Sequence, residues 1–406
     1  MSRAKPLQTV EAIPLSVPRL GGNEAEYLRQ CIQTNWVSYA GPFVERLESM
    51  LAAYVETEAG VATNSGTAAI HIALLVAGIQ PGDEVLVSDL TFIAPVNAIR
   101  YCGAFPVFMD ADPEYGQMDP VKVEEFLERQ CVPSQGRLRN RRTGRPVTAL
   151  LPVHILGHPV PMDPLLELAR RFGLRLIEDA TEALGARYRG RMVGSLGDLG
   201  CFSFNGNKII TTGGGGMIVT RQPSWAARAK HLTTQAKIDP LEYVHDQVGY
   251  NYRLTNLQAA VGVAQMEQLP GILIDKRRIA AVYTERFRAV PGLAVPARAD
   301  WAEPNDWLYT VRIDEARFGV SARELQRSLA ARGIQSRPLW APIHEQVPYR
   351  DCEAYRIEVA PLLFRQSLSL PCSSSLTAEQ QERVMGAVLA AADTAPSPSP
   401  RSLSLI

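Results

Sequence analysis

The sequence predicts an α/β protein in which a large domain with a mostly parallel sheet precedes a smaller α+β domain. Helical and extended hydrophobic patterns alternate from residue 64 to residue 220, as they do in chains built from βαβ units. The connections between these patterns are short, which parallel sheets covered by helices on both faces require. Near Thr255 the pattern changes, because a long helix begins there and the rest of the chain mixes helix and strand.

The elements of the first region follow from apolar runs and from their stop signals. Small and apolar residues at helical spacing predict a helix over Ser65–Val76, which Gly78 ends. A second, amphipathic helix is predicted over Met162–Phe172, with Gly173 closing it. Short apolar runs predict six buried strands, namely Glu84–Ser88, Phe105–Met109, Ala149–Val153, Leu174–Glu178 (ending at Asp179), Gly200–Phe204 and Met217–Thr220.

The second region is marked by capping boxes, in which Ser or Thr is followed three residues later by Glu or Gln. The first box, Thr255 with Gln258, predicts a helix that runs to about Leu269. The other boxes are Ser321 with Glu324 and Thr377 with Gln380. We therefore predict a large domain over residues 1–270 and a small domain over residues 271–394.

Two segments are predicted to lie outside the regular structure. Pro133–Pro146 is basic and contains glycine, which favours a solvated surface loop. Ala395–Ile406 is rich in Ser and Pro, which favours a disordered tail.

The composition excludes several classes of protein. Lys and Arg number 42 and Asp and Glu also number 42, so bulk electrostatic binding to nucleic acid or to anionic lipid is not expected. No apolar run has the length of a membrane span, and the first ten residues lack the apolar core of a signal peptide. The six cysteines have no metal-ligand spacing, so we predict reduced thiols, no metal site and a cytoplasmic protein.

Two short segments could bind a charged ligand. Asn64-Ser65-Gly66-Thr67 lies where a loop enters a helix, and the N–H groups and hydroxyls there suit a phosphate, although on their own they fit an ordinary helix cap better. Asp179 lies at the carboxyl end of a buried strand, where α/β sheets place ligands. It could pair with a protonated ring nitrogen, and it could equally cap the next helix.

Lys208 lies in the most unusual segment of the chain. Only six of the 42 basic residues are lysines, and this one lies in a loop rich in small and hydroxyl residues between two apolar strands. A desolvated lysine loses its proton more easily and becomes a nucleophile for an aldehyde. Gly213–Gly216 would let the backbone approach a ligand, and the order of residues excludes a P-loop. A phosphate anchor, a carboxylate and an imine-forming amine are together what pyridoxal phosphate requires.

The chain resembles the sugar aminotransferases of the DegT/DnrJ/EryC1/StrS group over residues 10–375. The motifs that carry the resemblance are Trp36-Val37-Ser38 with Gly41-Pro42, Asn64-Ser65-Gly66-Thr67, Thr91-Phe92-Ile93-Ala94, Val153-His154 with Gly157-His158-Pro159, Glu178 to Gly185, the Lys208 loop, and Val248 to Asn256. The resemblance implies a pyridoxal-phosphate enzyme of fold type I, with a mixed, mostly parallel seven-stranded sheet in the large domain.

The resemblance also implies a role for individual residues. Lys208 matches the lysine that binds the cofactor covalently, Asp179 the partner of the pyridine nitrogen, and Phe92 the aromatic ring that stacks on the cofactor. Glu182 matches a position near the 3-hydroxyl of the cofactor that is often Gln. The remaining matches that the resemblance implies for cofactor contacts are Ser65, Gly66, Thr67, Ser203 and Asn205.

Other matches concern the substrate and a second subunit. Asn251 matches a residue that reaches the cofactor phosphate of the other subunit, which implies a homodimer with shared active sites. Arg253, His344 and Lys237 match positions that contact the substrate, although a packed or surface histidine explains His344 nearly as well. The implied substrates are a nucleotide-linked keto sugar and, as amino donor, L-glutamate.

The residues around Lys208 narrow the subgroup. Asn205-Gly206-Asn207 and the glycine run replace the residues that many relatives carry there. This version most resembles C4 aminotransferases that act on UDP-4-keto-6-deoxy-N-acetylglucosamine in bacillosamine or legionaminic acid pathways, for surface glycans such as O-antigen. The main alternative is a GDP-perosamine synthase. Weaker alternatives are a C3 sugar aminotransferase, a dehydratase, which would have histidine in place of Lys208, and an inactive nucleotide-sugar-binding relative.

Overall fold

The computed structural model describes residues 12–239 and 241–393. The predicted tail over residues 395–406 lies outside this part of the chain. The helices of the described residues are α1 (Glu24–Gln33), α2 (Pro42–Tyr54), α3 (Gly66–Val76), α4 (Ala94–Tyr101), α5 (Pro120–Arg129), α6 (Met162–Phe172), α7 (Pro223–Thr233), α8 (Asn256–Phe287), α9 (Glu315–Phe318), α10 (Ala322–Ala331), α11 (Ala360–Gln366) and α12 (Ala378–Asp393).

The strands of the same residues are β1 (Ala59–Thr63), β2 (Glu84–Ser88), β3 (Phe105–Met109), β4 (Cys131–Ser134), β5 (Arg137–Asn140), β6 (Val147–Leu151), β7 (Arg175–Asp179), β8 (Arg187–Tyr188), β9 (Arg191–Met192), β10 (Leu199–Ser203), β11 (Gly216–Thr220), β12 (Lys237–Asp239), β13 (Val244–His245), β14 (Leu293–Ala294), β15 (Ala302–Glu303), β16 (Tyr309–Ile313), β17 (Arg337–Pro338), β18 (Glu353–Tyr355) and β19 (Ser367–Leu370).

The large sheet is mixed and mostly parallel, as predicted. Its order is β1-β11-β10-β7-β6-β2-β3-β18, and β11 alone among these described strands runs against the others. Within the described residues it therefore has eight strands where seven were expected. The additional strand, β18, comes from the C-terminal part of the chain and pairs in parallel with β3. It is three residues long, too short for a hydrophobic pattern to reveal it.

Helices cover the large sheet on both faces, so its strands are buried on both sides. Successive residues of a strand point to opposite faces. Val85 and Val87 of β2 belong to a core that includes residues of α3, α4 and α7, whereas Leu86 belongs to a core that includes residues of α2, α5, α6 and α8. This burial explains why β2 and β3 read as continuous apolar runs and why their predicted bounds agree with the structure.

The long helix α8 joins the large sheet to the C-terminal part. It has 32 residues and begins with the predicted capping box at Thr255. The predicted end near Leu269 is wrong, because the helix continues through Pro270. A proline inside a helix costs about 3 kcal/mol, and burial on both sides of it offsets that cost. The first half packs against α1 and α2 and shares a core with the large sheet, whereas Ile279, Tyr283 and Phe287 pack against the four-stranded sheet β14-β16-β19-β17.

The basic segment at residues 133–146 is mostly exposed, as predicted, but part of it forms strands instead of a loop. Strands β4 and β5 form an antiparallel hairpin. Arg137 pairs with the buried Asp83 at 3.1 Å, and the buried Asn140 donates to Glu84 Oε2 at 2.8 Å. Arg142 pairs with Glu353 of β18 at 3.1 Å. The basic residues are ordered because buried carboxylates at the edge of the sheet need partners.

No helix in residues 12–239 and 241–393 is both long enough and apolar enough to cross a membrane.

Candidate active site

The site lies where the parallel strands of the large sheet end. Strands β1, β7 and β10 end at this edge, and the antiparallel β11 begins there. The loops that follow the strands enclose a cavity of about 370 Å³. The residues that line it are Ser65, Gly66, Thr67, Ile70, Thr91, Phe92, Ala94, Pro95, Val153, Asp179, Thr181, Glu182, Ser203, Asn205, Asn207, Lys208, Gly214, Gly215, Trp307 and Trp340.

The amino group of Lys208 points into this cavity between an acid and an aromatic ring. Its Nζ is 3.6 Å from Glu182 Oε1 and 4.2 Å from the centroid of the Trp307 ring. The side chain is only 14% exposed. The amine is therefore largely removed from bulk water and can react with a bound carbonyl group.

Asp179 is the last residue of β7 and is fully buried. Its Oδ1 accepts a hydrogen bond from the backbone N–H of Thr181 at 3.0 Å. Burial raises the pKa of Asp179, while hydrogen bonds from Thr181 and the charge of Lys208 oppose that rise. A buried carboxylate of this kind gains most from a cationic partner, such as a protonated ring nitrogen.

Glu182 is the acid next to Lys208. Its Oε2 accepts a hydrogen bond from Leu156 N at 2.8 Å, and the side chain is buried. Burial raises the pKa of Glu182 from 4.5 to about 7, although the charge of Lys208 opposes the rise. Near neutral pH this carboxyl can thus hold or release a proton beside the amine.

His154 and Glu178 form a second layer next to Asp179. His154 Nδ1 accepts from Val160 N at 2.9 Å, so the ring proton lies on Nε2, which donates to Glu178 Oε2 at 3.1 Å. Glu178 also accepts three backbone N–H groups, from Gly194, Leu196 and Gly197, at 2.7–2.8 Å. Because Glu178 directly precedes Asp179, these bonds hold the end of β7 in place.

The N-terminus of α3 forms the anion-binding end of the cavity. Ser65 caps the helix, since its Oγ accepts from Ala68 N at 3.1 Å. The first N–H groups of a helix have no partner within it, and here those of Gly66 and Thr67 lie at the cavity wall. A Cβ at Gly66 would lie 2.8 Å from Ser203 Cβ, so only glycine permits this close approach of helix and strand.

These residues fit pyridoxal phosphate. Phe92 is 55% exposed and leaves a ring face free for a planar group. The N-terminus of α3 would hold the phosphate, Asp179 would face the ring nitrogen, and Lys208 would reach the aldehyde. Each part of the cofactor thus has a partner of suitable chemistry at the same cavity.

The structure brings together all the predicted catalytic and cofactor contacts except Asn251. Asn251 and the predicted substrate contacts do not line the cavity of their own chain. The Asn251 carbonyl accepts from Asn64 Nδ2 at 3.3 Å. Arg253 lies over the Tyr39 ring at 4.2 Å, and Lys237 lies on β12.

His344 lies outside the cavity and contacts Asp89, just after β2. Its Nδ1 is 2.8 Å from Asp89 Oδ2, and its backbone N–H donates to Asp89 Oδ1 at 2.9 Å. The hydrogen bond to Asp89 raises the pKa of His344. Through these contacts His344 fastens the C-terminal segment to the end of β2.

Two tryptophans that line the cavity were not predicted as site residues from the sequence. Trp307 and Trp340 both line it, and their rings are parallel with centroids 6.5 Å apart. Each lies at least 99 positions from Lys208 along the chain, in a stretch that resembles ordinary core. Nothing in the local sequence distinguishes them from packing residues. Only the folded structure shows that they line the cavity.

Comparisons with known proteins place the chain among sugar-modifying enzymes. The profile of the DegT/DnrJ/EryC1/StrS aminotransferase family matches residues 18–389. The chain is 39% identical to the GDP-perosamine synthase of Caulobacter vibrioides, across 93% of this chain and 97% of that protein. It is 36% identical to the GDP-perosamine synthase of Escherichia coli O157:H7, across 91% and 95%. The crystal structure of S. venezuelae DesV in complex with a ketimine intermediate matches with a TM-score of 0.82 and 34% identity, across 92% and 95%.

Proposed function

Because the chain belongs to the DegT/DnrJ/EryC1/StrS aminotransferase family, we propose that it transfers an amino group from L-glutamate to C4 of a GDP-linked 4-keto-6-deoxy sugar. It is an enzyme that uses pyridoxal phosphate to aminate a nucleotide-linked sugar. The observation that carries the choice of GDP is the near-complete alignment with two GDP-perosamine synthases. These relatives favour the alternative over the UDP-linked acceptor that the Lys208 loop suggested.

The overall reaction needs no further oxidant or reductant. Glutamate loses its amino group and becomes 2-oxoglutarate, while the sugar ketone becomes an amine. Bound pyridoxal phosphate supplies an aldehyde that reacts with amines and a ring that delocalises electrons from the carbon being deprotonated. The 4-amino sugar would then serve a surface glycan.

Lys208, Asp179 and Glu182 would divide the proton transfers among them. The Lys208 amine would take the proton from the glutamate α-carbon in the first half-reaction and would deliver a proton to C4 of the sugar in the second. Asp179 would hold a proton at the ring nitrogen, since its buried carboxylate gains from a cationic partner. Glu182, 3.6 Å from Lys208 Nζ, would compensate the charge of the amine as it gains and loses its proton.

A homodimer with shared sites would account for the residues that lie away from their own cavity. The segment made up of residues 238–239 and 241–248 includes exposed apolar side chains, with Leu241 85% and Val248 80% exposed. Exposed apolar groups in one segment are typical of a subunit interface. We propose that a second copy covers this segment, so that Asn251 and Arg253 of one subunit serve the cavity of the other.

Complementation tests the shared site. K208A and R253A chains would each have low activity alone, but mixed dimers would contain one intact site. Random reassortment should then restore about a quarter of the wild-type activity. If dimers of one K208A chain and one R253A chain are shown to form and activity does not return, a shared site is excluded.

A direct assay tests the substrate. Purified protein with pyridoxal phosphate and glutamate is given either a GDP-linked or a UDP-linked 4-keto-6-deoxy sugar, and the amino sugar is detected by mass spectrometry. We expect amination of the GDP-linked sugar, and none with K208A. If the enzyme prefers the UDP-linked sugar, the UDP-linked acceptor is the substrate and the proposed GDP-linked one is wrong. Absence of amination with every acceptor would overturn it.

A further inference from the structure

Trp307 lines the cavity and directly contacts the Lys208 loop. We propose that Trp307 is a positioning residue that fixes the Lys208 amino group through its ring face and the Lys208 loop through its indole N–H. This inference rests on the proposed function only in that Lys208 is taken as the reacting amine.

The two contacts of Trp307 act on neighbouring parts of one loop. The ring centroid lies 4.2 Å from Lys208 Nζ, and the indole Nε1 donates to the carbonyl oxygen of Asn207 at 2.7 Å. Asn207 directly precedes Lys208. The Trp307 side chain therefore holds both the backbone of the loop and the Lys208 amino group. Trp340 lies parallel to Trp307, with 9° between the ring planes.

The Trp307 backbone is itself held firmly. Trp307 is buried, and its N–H donates to Asn305 Oδ1 at 2.9 Å. Asn305 in turn donates from Nδ2 to the carbonyl oxygens of Glu182 and Leu184 at 2.9 and 3.0 Å. The buried Lys276 donates to the Trp307 carbonyl at 2.6 Å. Residues 305–307 therefore contact both Glu182 and the Lys208 loop. They would fix the position of Glu182 relative to Lys208.

The ring face has a chemical consequence for the amine. A cation over an indole ring is attracted by the ring quadrupole, and more strongly where the cation is largely buried, as Lys208 is with 14% of its side chain exposed. Trp307 would thus keep the amino group at the cavity wall whenever it carries a proton and is not bonded to the cofactor. Without the ring, the amine could turn toward Glu182 alone and lose its alignment with the reacting carbon.

The chain offers a matched control for this contact. Trp225 on α7 also lies under a cation, with the Arg175 guanidinium carbon 5.1 Å from its ring centroid, and it lies outside the cavity. W307F keeps a ring face and loses the N–H, W307M loses both, and W225F changes a comparable tryptophan elsewhere. Thermal unfolding and cofactor content show whether each variant is folded and loaded.

Two rates then test the proposal. The first is the rate at which added pyridoxal phosphate becomes attached to Lys208, followed by its visible absorbance without any amino donor. The second is the single-turnover reaction of loaded enzyme with glutamate, with its isotope effect for α-deuterated glutamate. We expect W307M to slow both about tenfold, which corresponds to about 1.4 kcal/mol, and W307F to slow them about threefold. The isotope effect should rise in W307M, and W225F should match wild type.

The outcomes separate positioning from packing. Folded, loaded W307M with wild-type rates and isotope effect would overturn the proposal, as would W307F slowed as much as W307M. If W307M does not fold, W307F with an unchanged attachment rate overturns it. A wild-type protein that attaches the cofactor but does not react with glutamate would refute the proposed function, while the attachment rates would still test Trp307.

Discussion

Replacing Glu182 by Gln tests whether this buried carboxyl carries its proton near neutral pH. Burial raises the pKa of Glu182 to about 7 from an ordinary value of 4.5. Gln has the shape of the protonated acid and can still accept the N–H of Leu156. The variant therefore removes the ionisation and keeps the main hydrogen bond.

The sign of the effect follows from proton binding. A carboxyl whose pKa is higher in the folded chain binds its proton more tightly there than in the unfolded chain. The free energy of unfolding should therefore fall as pH rises from about 4.5 to about 7 and should show no further loss above that. At about 1.4 kcal/mol per pH unit, the gap between 4.5 and about 7 amounts to about 3 kcal/mol.

We expect cofactor-free E182Q to match wild type near pH 4 and to be about 3 kcal/mol more stable near pH 8.5. Urea unfolding at fixed protein concentration measures this, because association shifts apparent stability. The control is E124Q, which replaces a carboxyl on a side chain that is 49% exposed. An E182Q difference of the same size at both pH values would refute a buried carboxyl with a raised pKa.

Three further substitutions test the scaffold around the site. N140L should lower the free energy of unfolding by about 2–4 kcal/mol in urea, because buried Glu84 loses a donor; no loss would contradict the role of the hairpin. G157A should weaken cofactor retention at limiting pyridoxal phosphate, because φ is 84° and a Cβ would lie 1.7 Å from Asn305 Oδ1. Unchanged retention would show that Asn305 can move freely. T255A should cost about 1 kcal/mol through loss of the α8 cap, and a midpoint in urea equal to wild type would exclude that contribution.

Sequence reasoning succeeded where local chemistry decides the structure. Helix α6 agrees with its predicted bounds because Gly173, with φ of 68°, ends it in the left-handed conformation. Asp179 and Lys208 lie at one cavity, as expected, because the carboxyl end of a strand and the loop after its neighbour meet at the same edge of a parallel sheet.

It failed where distant parts of the chain decide the structure. Residues 353–355 form strand β18 because they pair with the edge strand β3. Pro270 stays helical because both halves of α8 are buried. Trp307 and Lys208 meet only after the C-terminal part has packed on the large sheet. None of these leaves a pattern in neighbouring residues, so periodicity and capping rules could not detect them.

Strand β18 also matters while the protein is being made. The large sheet cannot be completed until residues 353–355 have left the ribosome, when most of the 406 residues have already been synthesised. Until then the nascent chain presents β3 as an open edge, and open edges pair readily with other chains. A chain truncated before residue 353 would keep the edge of β3 unpaired permanently. Translation pauses late in the message, and chaperones that act on the growing chain, should therefore influence how much soluble enzyme a cell obtains.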